Sequence, residues 1–567
     1  MGDSWLEKRA RTVLLGALGG LAACQPSRPA YDVLIQGGQV ADGSGAPMVT
    51  ADVGIRDGRI AKVGDLSDAT AAETIDAAGR VVSPGFIDMH THSEYALLKD
   101  GRGLSKSHQG VTLEVFGEGS SPGPRHEGME ERRGGYGVEP TWTTLEGYFE
   151  KLQEQGISLN AASYVSAGQL RRYVYGEEQR KPAPEELEKM KELLAEGMEQ
   201  GAMGLVAGLE TPGQPQPNDA VSSTEELIEL AKVVSRYGGI YASHLRDQGA
   251  GLLDSIEEAA RVGEEGGVGV EIFHLKAAGR PYFRQMGNVL AAIQAARDRG
   301  VDIAADIYPY IAAAHGLSVE IPRWAQDGGH EKFMARLVDP KLRPRIRKEM
   351  TEYMTTKYYN ELEDAAGFDA VVVSSVSKNP ESYVGKTLGE IAREKGARDP
   401  ADAVLDLFVE QEGNVGLVMF YMSEEDVTLG VASPLTTFSS DGTAVSPEWG
   451  GQPHPRYYGT FPRILGYYVR EKKALPLEKA IEKMTGQAAA KLGIKDRGRL
   501  AEGMWADVVV FDPERIIDKA TFDSPHQFPE GIDYVFVNGV KVIEKGEHTG
   551  AKPGMIVYGP GKKGGST

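Results

Sequence analysis

The chain has 567 residues, of which 41% are hydrophobic and 25% charged, and a chain of this length exceeds the usual size of one folded domain. Its net charge of −20, from 62 basic and 82 acidic residues, argues against nucleic-acid binding and favours a protein that handles small molecules. Its only cysteine is Cys24, which excludes an intramolecular disulfide and a thiolate metal cluster.

The first 24 residues have the features of an export signal. Basic residues precede the apolar run Val13–Ala23, which is too short to cross a bilayer as a helix. The string Leu21-Ala22-Ala23-Cys24 resembles a bacterial lipobox, in which the cysteine carries the lipid. We therefore predict an exported lipoprotein that faces the periplasm, with a lipid anchor at Cys24. The alternative is a spurious signal on a cytoplasmic protein, since Asp3 and Glu7 stand where a signal should be basic.

Short strands and glycine turns make up both ends of the remaining chain. In residues 31–80, Asp57-Gly58 lies between two apolar runs, which is a strong hairpin signal. Residues 490–550 have the same pattern of short strands and glycine turns, and there Tyr534–Val537 precedes a turn at Asn538-Gly539. We predict that these two segments form one small β-sandwich domain.

Residues 81–489 alternate between strand-like and helix-like segments. Eight apolar runs match the number of strands in a (β/α)8 TIM-type barrel: Val81–His90, Val111–Phe116, Ser158–Val165, Ala202–Leu209, Gly239–Ser243, Gly269–Phe273, Val301–Ala305 and Leu435–Ser439. Residues 311–430 interrupt this alternation, and their pattern is largely helical around one strand, Ala370–Val373. We predict a helical insertion that forms a lid or subdomain near the barrel mouth.

Histidines and one aspartate lie where several of these runs end. His90 and His92 are one residue apart, so an extended strand points both to the same face, and His244, His274 and Asp441 close later runs. Such barrels build their active sites at the carboxyl ends of the strands, and histidine is the commonest metal ligand. The sequence therefore predicts a metal site. Taken singly, each histidine could be a core or surface residue, and Asp441 a turn aspartate.

The strings around these residues resemble the N-acyl-D-amino-acid deacylase (D-aminoacylase) family of the amidohydrolase superfamily. The resemblance extends from about Asp32 to Lys541, and its clearest strings are Pro84–His92, Gln109–Thr112, Ser243–Arg246, His274–Gly279, Tyr308–Tyr310, Ser440–Gly442 and His454–Arg463. The pair of histidines in the first string is shared across the superfamily, whereas the strings that begin at His274, Tyr308 and His454 narrow the match to the deacylases. The resemblance implies a zinc-dependent amidohydrolase that acts on linear amides.

The resemblance also implies a role for each matching residue. His244 and His274 match the histidines that hold a tightly bound zinc, and His90 and His92 match the pair at a second, weaker position, so one or two Zn²⁺ ions per chain are implied. Asp441 matches the catalytic aspartate. Three further residues match positions that grip the α-carboxylate of the substrate: Lys276, Tyr308 and Arg456. A cation, a phenol and a guanidinium suit that task, although solvation at the surface would explain the two cations equally well.

The chain departs from the family pattern after the second strand. Where the family has Gly-Asn-Cys-Gly, whose cysteine ligates metal, this chain has Gly117-Glu118-Gly119-Ser120. A gap-free match places Gly119 under the cysteine, yet Glu118 is the only carboxylate at this strand end, and its side chain is longer. We predict that Glu118 supplies the missing ligand and bridges two cations, as carboxylates do in two-metal sites. The alternatives are a solvated loop glutamate or Glu114, deeper in the strand.

The predicted function is hydrolysis of the amide bond in N-acyl-D-amino acids. A zinc-type cation lowers the pKa of a bound water from about 16 to about 7, so hydroxide is available to attack the amide carbonyl. Asp441 takes the proton from this water and returns it to the leaving amine. A dipeptidase that acts on peptides with a C-terminal D-residue would use the same features. A further alternative is a lipoprotein that binds such ligands without turnover, although a binder needs no proton shuttle.

Overall fold

A computed structural model describes residues 29–562, except residues 128, 130–135, 177, 179 and 210–221. The predicted export signal and Cys24 therefore lie outside the described residues. Among the residues that are described, no helix combines the length and the apolar character that a membrane span requires.

Strands from both ends of the chain form one nine-stranded sheet. Its strands are Tyr31–Val40, Val49–Arg56, Arg59–Gly64, Ala71–Asp76, Val81–Pro84, Val508–Phe511, Ile532–Val537, Val540–Glu544 and Glu547–His548. The antiparallel pair of Val81–Pro84 with Val508–Phe511 joins the two ends. β-Branched and aromatic side chains, which favour strands, fill one core that contains Ile35, Val53, Ile55, Val508 and Phe536.

The middle of the chain supplies the strands of a (β/α)8 barrel. In chain order they are Phe86–Thr91, Val111–Phe116, Asn160–Ser163 continued by Val165–Ser166, Gly204–Gly208, Ile240–His244, Gly269–Ile272, Ile303–Ile307 and Thr436–Phe438. They pair in parallel as a three-stranded and a six-stranded ladder. A backbone bridge between Thr91 and Gly442 brings the last segment back to the first strand. Each of the eight predicted runs overlaps one of these strands, and the predicted fold class is confirmed.

Helices connect the barrel strands and share a hydrophobic core with them. Outside the insertion the α-helices are Ala96–Lys99, Leu104–Ser107, Leu145–Gln155, Ala167–Tyr175, Pro184–Glu199, Thr224–Ser235, Leu252–Gly266, Met286–Asp298, Arg456–Arg463, Leu477–Met484 and Gly486–Lys491, and a π-helix spans Ile464–Glu471. The helix Glu424–Ala432 leads from the end of the insertion to the eighth barrel strand. In Thr224–Ser235, Ser223 caps the first turn, and Leu227 and Ala231, four residues apart, are buried. Capping and an apolar stripe at helical spacing explain why this segment is a helix.

The insertion between the seventh and eighth barrel strands contains more sheet than the sequence predicts. Its α-helices are Arg323–Gln326, His330–Val338, Arg343–Lys357, Pro380–Tyr383, Leu388–Glu394 and Pro400–Glu410. Where we predicted one strand, Val415–Phe420 pairs antiparallel with both Ala312–Gly316 and Val371–Val376. Ala312–Gly316 is rich in alanine, which has low strand propensity, so pairing with a distant segment decides its conformation.

The predicted first barrel strand, Val81–His90, is two strands that belong to different sheets. Val81–Pro84 is part of the nine-stranded sheet, and Phe86–Thr91 is part of the barrel. Between them, a Cβ on Gly85 would lie 2.1 Å from Oγ1 of Thr112, so glycine allows the chain to pass this close to the second barrel strand. The segment that ends at His90 therefore passes directly from the nine-stranded sheet into the barrel.

Candidate metal centre

Four histidines from three barrel strands meet at the carboxyl ends of those strands. His90 lies in the first strand and His92 follows it, His244 ends the fifth strand, and His274 follows the sixth. His244 Nδ1 and His274 Nε2 are 3.1 Å apart, and the ring centroids of His90 and His274 are 5.1 Å apart. Histidines that are distant in the sequence therefore share one site.

Glu118, which follows the second strand, lies between the two histidine pairs. Its Oε2 is 2.7 Å from His90 Nε2 and 3.4 Å from His92 Nε2, and its Oε1 is 2.8 Å from His244 Nδ1. The side chain is 4% exposed, so it is not a solvated loop glutamate. Each carboxylate oxygen faces one histidine pair, as in a bridging carboxylate. Glu114 instead points to Ser93, whose hydroxyl donates to it.

Asp441 also lies against the first histidine pair. Its Oδ1 is 3.0 Å from His92 Nε2 and 3.9 Å from His90 Nε2, and its Oδ2 is 3.1 Å from Arg456 Nη1. Asp441 and His274 have positive φ angles, +45° and +37°, a conformation that non-glycine residues seldom adopt and that clusters at active sites. The backbone is thus strained where these side chains converge.

The potential donor atoms form two groups that share one carboxylate. Within each group the atoms lie within 4.8 Å of one another, and the members are His90, His92, Glu118 and Asp441 in one group and Glu118, His244 and His274 in the other. Nitrogen and oxygen atoms of histidine, glutamate and aspartate are ordinary zinc ligands. The residues present therefore fit one zinc ion or two.

The two histidine pairs lie in different electrostatic surroundings. Burial and the Lys276 ammonium group hold the pKa of His274 well below its ordinary value, so this imidazole is neutral at pH 7. Burial also opposes a charge on His90, but the carboxylates of Glu118 and Asp441 outweigh burial and raise the pKa of His90. The half of the site around His90 thus favours a positive charge, which is the charge that a metal ion would bring.

The three residues predicted to grip a carboxylate lie together beside the histidines. The Arg456 guanidinium carbon is 4.8 Å and Lys276 Nζ is 5.5 Å from the ring centroid of Tyr308. Lys276 Nζ is also 2.8 Å from His274 Nδ1 and 3.0 Å from Gln248 Oε1. Arg456 is 2% exposed and Lys276 is 4% exposed, so solvation at the surface does not explain these two cations.

A cavity of about 300 Å³ opens over this cluster. Lys276 and Arg456 line it together with Gln248, Glu94 and three side chains from the insertion, which are His315, Lys357 and Tyr421. Sequence analysis missed the last five of these residues. Glu94 and Gln248 offered a signal, since Glu94 lies two positions after His92 and Gln248 four positions after His244. The places of the insertion residues depend on how a separate substructure packs.

Comparison with known proteins places these features in a family. The family model described as "Amidohydrolase family" matches residues 73–317 and 435–543, and most of the insertion lies between the two matches. A D-aminoacylase of Alcaligenes xylosoxydans xylosoxydans is 35% identical to this chain over 537 residues, which cover 93% of this chain and 97% of that protein. The chain belongs to the N-acyl-D-amino-acid deacylase family of the amidohydrolases.

Solved structures agree with this family over nearly the whole deacylase fold. The crystal structure of N-acyl-D-glutamate deacylase from Bordetella bronchiseptica, complexed with zinc and a phosphonate that mimics the tetrahedral intermediate, is 30% identical with a TM-score of 0.78, and the match covers 93% of this chain and 99% of that chain. A D-aminoacylase structure described for its binuclear metal centre is 34% identical with a TM-score of 0.77 and the same coverage. Metal centres therefore occur in relatives that share the fold of this deacylase.

Proposed function

We propose that this chain is a zinc-dependent hydrolase that cleaves N-acyl-D-amino acids into a carboxylic acid and a free D-amino acid. One observation carries the proposal: two overlapping groups of metal-binding side chains lie in the same cavity as two buried cations, Lys276 and Arg456. An N-acylated amino acid presents an amide and a carboxylate close together. The metal-binding groups suit the amide, and the two cations suit the carboxylate.

Asp441 is placed to move the proton. Burial opposes its ionisation, but the charges of Arg456 and His90 hold the pKa of its carboxyl well below the ordinary value, so it is a carboxylate at neutral pH. Zinc bound by the two donor groups would lower the pKa of a water molecule and polarise the amide carbonyl. Asp441 accepts the proton of the attacking water and returns it to the departing amine.

Arg456 connects substrate binding to this proton transfer. Its Nη1 contacts Asp441 Oδ2 at 3.1 Å, and a guanidinium has enough N–H donors to bind a substrate carboxylate in addition. The negative charge of that carboxylate offsets the pull of Arg456 on Asp441 and makes Asp441 a stronger base. Binding of the correct substrate therefore prepares the proton acceptor.

Glu118 is proposed as the ligand that bridges the two metal positions. The support is geometric, since Oε2 lies against His90 and Oε1 against His244. Gly119, which a gap-free match aligns with the family's cysteine, has no side chain and a φ of +72°. The neighbouring glutamate thus takes over a task for which the aligned position has no donor.

A dipeptide with a C-terminal D-residue is a second candidate substrate. Glu94 is 5% exposed and lines the same cavity. A carboxylate in the wall would suit the free ammonium group of a dipeptide, which an N-acyl amino acid lacks. The amide and the α-carboxylate would be held as in the first proposal.

The test is an amine-release screen on the zinc-loaded protein. Three series with matched side chains are compared: N-acetyl-D-amino acids, N-acetyl-L-amino acids and dipeptides with a C-terminal D-residue. The main proposal expects the first series to be cleaved fastest, and cleavage of dipeptides alone would favour the second candidate. No amine release from any series, by protein of measured zinc content, would contradict both.

We also propose that the protein is exported and lipid-anchored at Cys24. The support is the basic start, the short apolar run and the lipobox-like string. In a bacterial host, the wild-type protein is expected in the membrane fraction with a lipid-sized mass increase at its N-terminus, and Cys24→Ser is expected to lose both. Recovery of the wild type from the cytoplasm with the segment before Cys24 retained would contradict the proposal.

A further inference from the structure

A buried cluster of charged groups lies beneath the loop that carries Asp441, and the proposed mechanism does not use it. Lys106 Nζ is 2.9 Å from Asp88 Oδ2 and 3.9 Å from Glu114 Oε1. All three side chains are 0% exposed. Lys106 lies in the short helix Leu104–Ser107, and the two acidic residues lie in the first and second barrel strands.

The cluster reaches Asp441 through the residue before it, Ser440. Lys106 Nζ donates a hydrogen bond to Ser440 Oγ. Asp88 accepts two hydrogen bonds from the same residue, one from the backbone N–H at 2.9 Å and one from the hydroxyl at 2.5 Å. Ser440 Oγ in turn accepts a hydrogen bond from the N–H of Gly442 at 3.1 Å. The residues on both sides of Asp441 are therefore held, directly or through Ser440, by Asp88 and Lys106.

Serine side chains hold the next part of the same loop. Ser93 Oγ donates to Glu114 Oε1 at 2.7 Å and accepts from the N–H of Ala444 at 2.9 Å. Ser105, the neighbour of Lys106, accepts from the N–H of Val445 at 2.9 Å. The loop is thus attached to the segment after the first barrel strand and to the helix of Lys106 at successive positions.

Strain at Asp441 explains why the loop needs these attachments. Its φ of +45° persists only where the surroundings over-determine the backbone. A buried ammonium group is a poor source of stability, because its desolvation offsets most of its attraction to the acids. What the ammonium group provides is a fixed geometry of the loop. The geometry matters because displacing a reacting group by about 1 Å can slow the reaction about 100-fold.

We propose that Lys106, paired with Asp88, is a positioning residue for the reaction. The pair holds Ser440 and thereby fixes the Asp441 carboxylate where it receives and returns the proton. Lys106 acts through these contacts and touches no metal-binding side chain among its described hydrogen bonds and ion pairs. The inference rests on the proposed function, because it concerns the proton transfer assigned there to Asp441.

The test compares Lys106→Met with the wild type as purified, zinc-loaded proteins. Methionine keeps the length of the side chain but removes its charge and its donors. We expect kcat to fall by about 10- to 100-fold, while KM and zinc content stay close to those of the wild type. A role confined to folding would lower the melting temperature and leave kcat per bound zinc unchanged.

Two further variants separate positioning from folding. Asp88→Asn/Lys106→Met removes both charges of the pair and so leaves one fewer buried carboxylate without its cation than Lys106→Met does. Its melting temperature should therefore exceed that of Lys106→Met while kcat stays low. The matched control is Arg497→Met, which breaks the ion pair of Arg497 with Asp507. Both side chains are 4% exposed, and the pair lies next to Val508–Phe511, a strand of the nine-stranded sheet. It should lower the melting temperature and leave kcat unchanged.

A kcat per bound zinc in Lys106→Met that equals the wild-type value would overturn the positioning role, as would a fall that only follows a loss of zinc. Should Lys106→Met fail to fold, Ser440→Ala tests the same attachment, since it deletes one hydroxyl from a side chain that is 0% exposed. It should lower kcat several-fold at unchanged KM, and an unchanged kcat would overturn the inference. An inactive wild type, by contrast, would contradict the proposed function itself.

Discussion

The barrel mouth and the nine-stranded terminal sheet are both buried, but they bury opposite kinds of side chain. The core of the sheet contains hydrocarbon groups such as Ile35 and Phe536, both 0% exposed. The mouth buries Glu118, Asp441 and Arg456. Burial of apolar surface stabilises a fold by about 25 cal/mol per Å², whereas burial of charge is unfavourable unless every charge is paired. The sheet therefore stabilises the fold, whereas the charged groups buried at the mouth lower its stability and are kept because the reaction needs them.

The largest expected effect breaks the chemistry of the mouth. Asp441→Asn keeps the shape of the side chain but removes the proton acceptor, so kcat should fall by about 10²- to 10⁴-fold. Zinc content should change little, since the histidines and Glu118 remain. Amide hydrolysis and metal analysis on the same preparation measure both quantities. Full activity in this variant would show that Asp441 does not move the proton.

The opposite pattern is expected in the terminal sheet. Ile35 is 0% exposed, and Ile35→Ala leaves a cavity that should lower the free energy of unfolding by about 2–5 kcal/mol. The kcat of the folded protein should be unchanged, because Ile35 lies in the nine-stranded sheet, whereas the candidate metal ligands lie at the ends of barrel strands. Urea denaturation and amide hydrolysis measure the two effects. A matching loss of kcat at 25 °C would mean that the two regions are not independent.

Glu114, a buried carboxyl group near the barrel mouth, should make the free energy of unfolding depend on pH. Burial raises the pKa of its carboxyl from 4.5 to about 7. The native protein therefore retains a proton that the unfolded chain loses, and stability falls as the pH rises from 5 to 8, by about 2 kcal/mol. Glu114→Gln cannot ionise and should lack this part of the pH dependence. The measurement is urea denaturation of both zinc-loaded proteins at the two pH values. If the free energy of unfolding changes equally with pH in both proteins, the pKa of Glu114 is not raised.

The smallest expected effect comes from Glu118→Ala, which tests whether Glu118 is the bridging ligand. Glu118→Ala should lower zinc content or kcat by about tenfold or more, because it removes a carboxylate that faces both histidine pairs. Glu127→Ala is the matched control, since Glu127 is an exposed glutamate in the same connection. Zinc titration and kcat together decide the matter. If both variants behave like the wild type, Glu118 is no ligand.

The barrel could be predicted because its strands are buried on both faces. Val111–Phe116, for example, is buried at every position, so it stands out as an apolar run between polar segments. The histidines at the strand ends could be predicted to meet for the same reason, since barrel topology fixes where strand ends go. Glu118 could be predicted because the chain has no cysteine after Cys24, so the position of the family's cysteine needs another donor, and Glu118 is the carboxylate next to it.

The insertion sheet and the cluster around Lys106 could not be predicted in the same way. Ala312–Gly316 becomes a strand only by pairing with Val415–Phe420, and a local pattern carries no information about that partner. Lys106 is hydrogen-bonded to Ser440, in the loop after the eighth barrel strand, and to Asp88, in the first barrel strand. Contacts between single polar residues far apart in the chain leave no periodic signal, so they become visible only when the strands are assembled.

Among the residues that the structure describes, the side chains that could hold a metal ion at the barrel mouth offer nitrogen and oxygen but no sulfur: His90, His92, Glu118, His244, His274 and Asp441. Peroxide and alkylating reagents therefore find no thiolate to attack at this centre. An enzyme whose metal is held by cysteine is vulnerable to both treatments. Harder ligands also accept manganese or cobalt more readily than thiolate does. The proposed exchange of the family's cysteine for Glu118 would therefore let the same barrel keep its metal in oxidising surroundings.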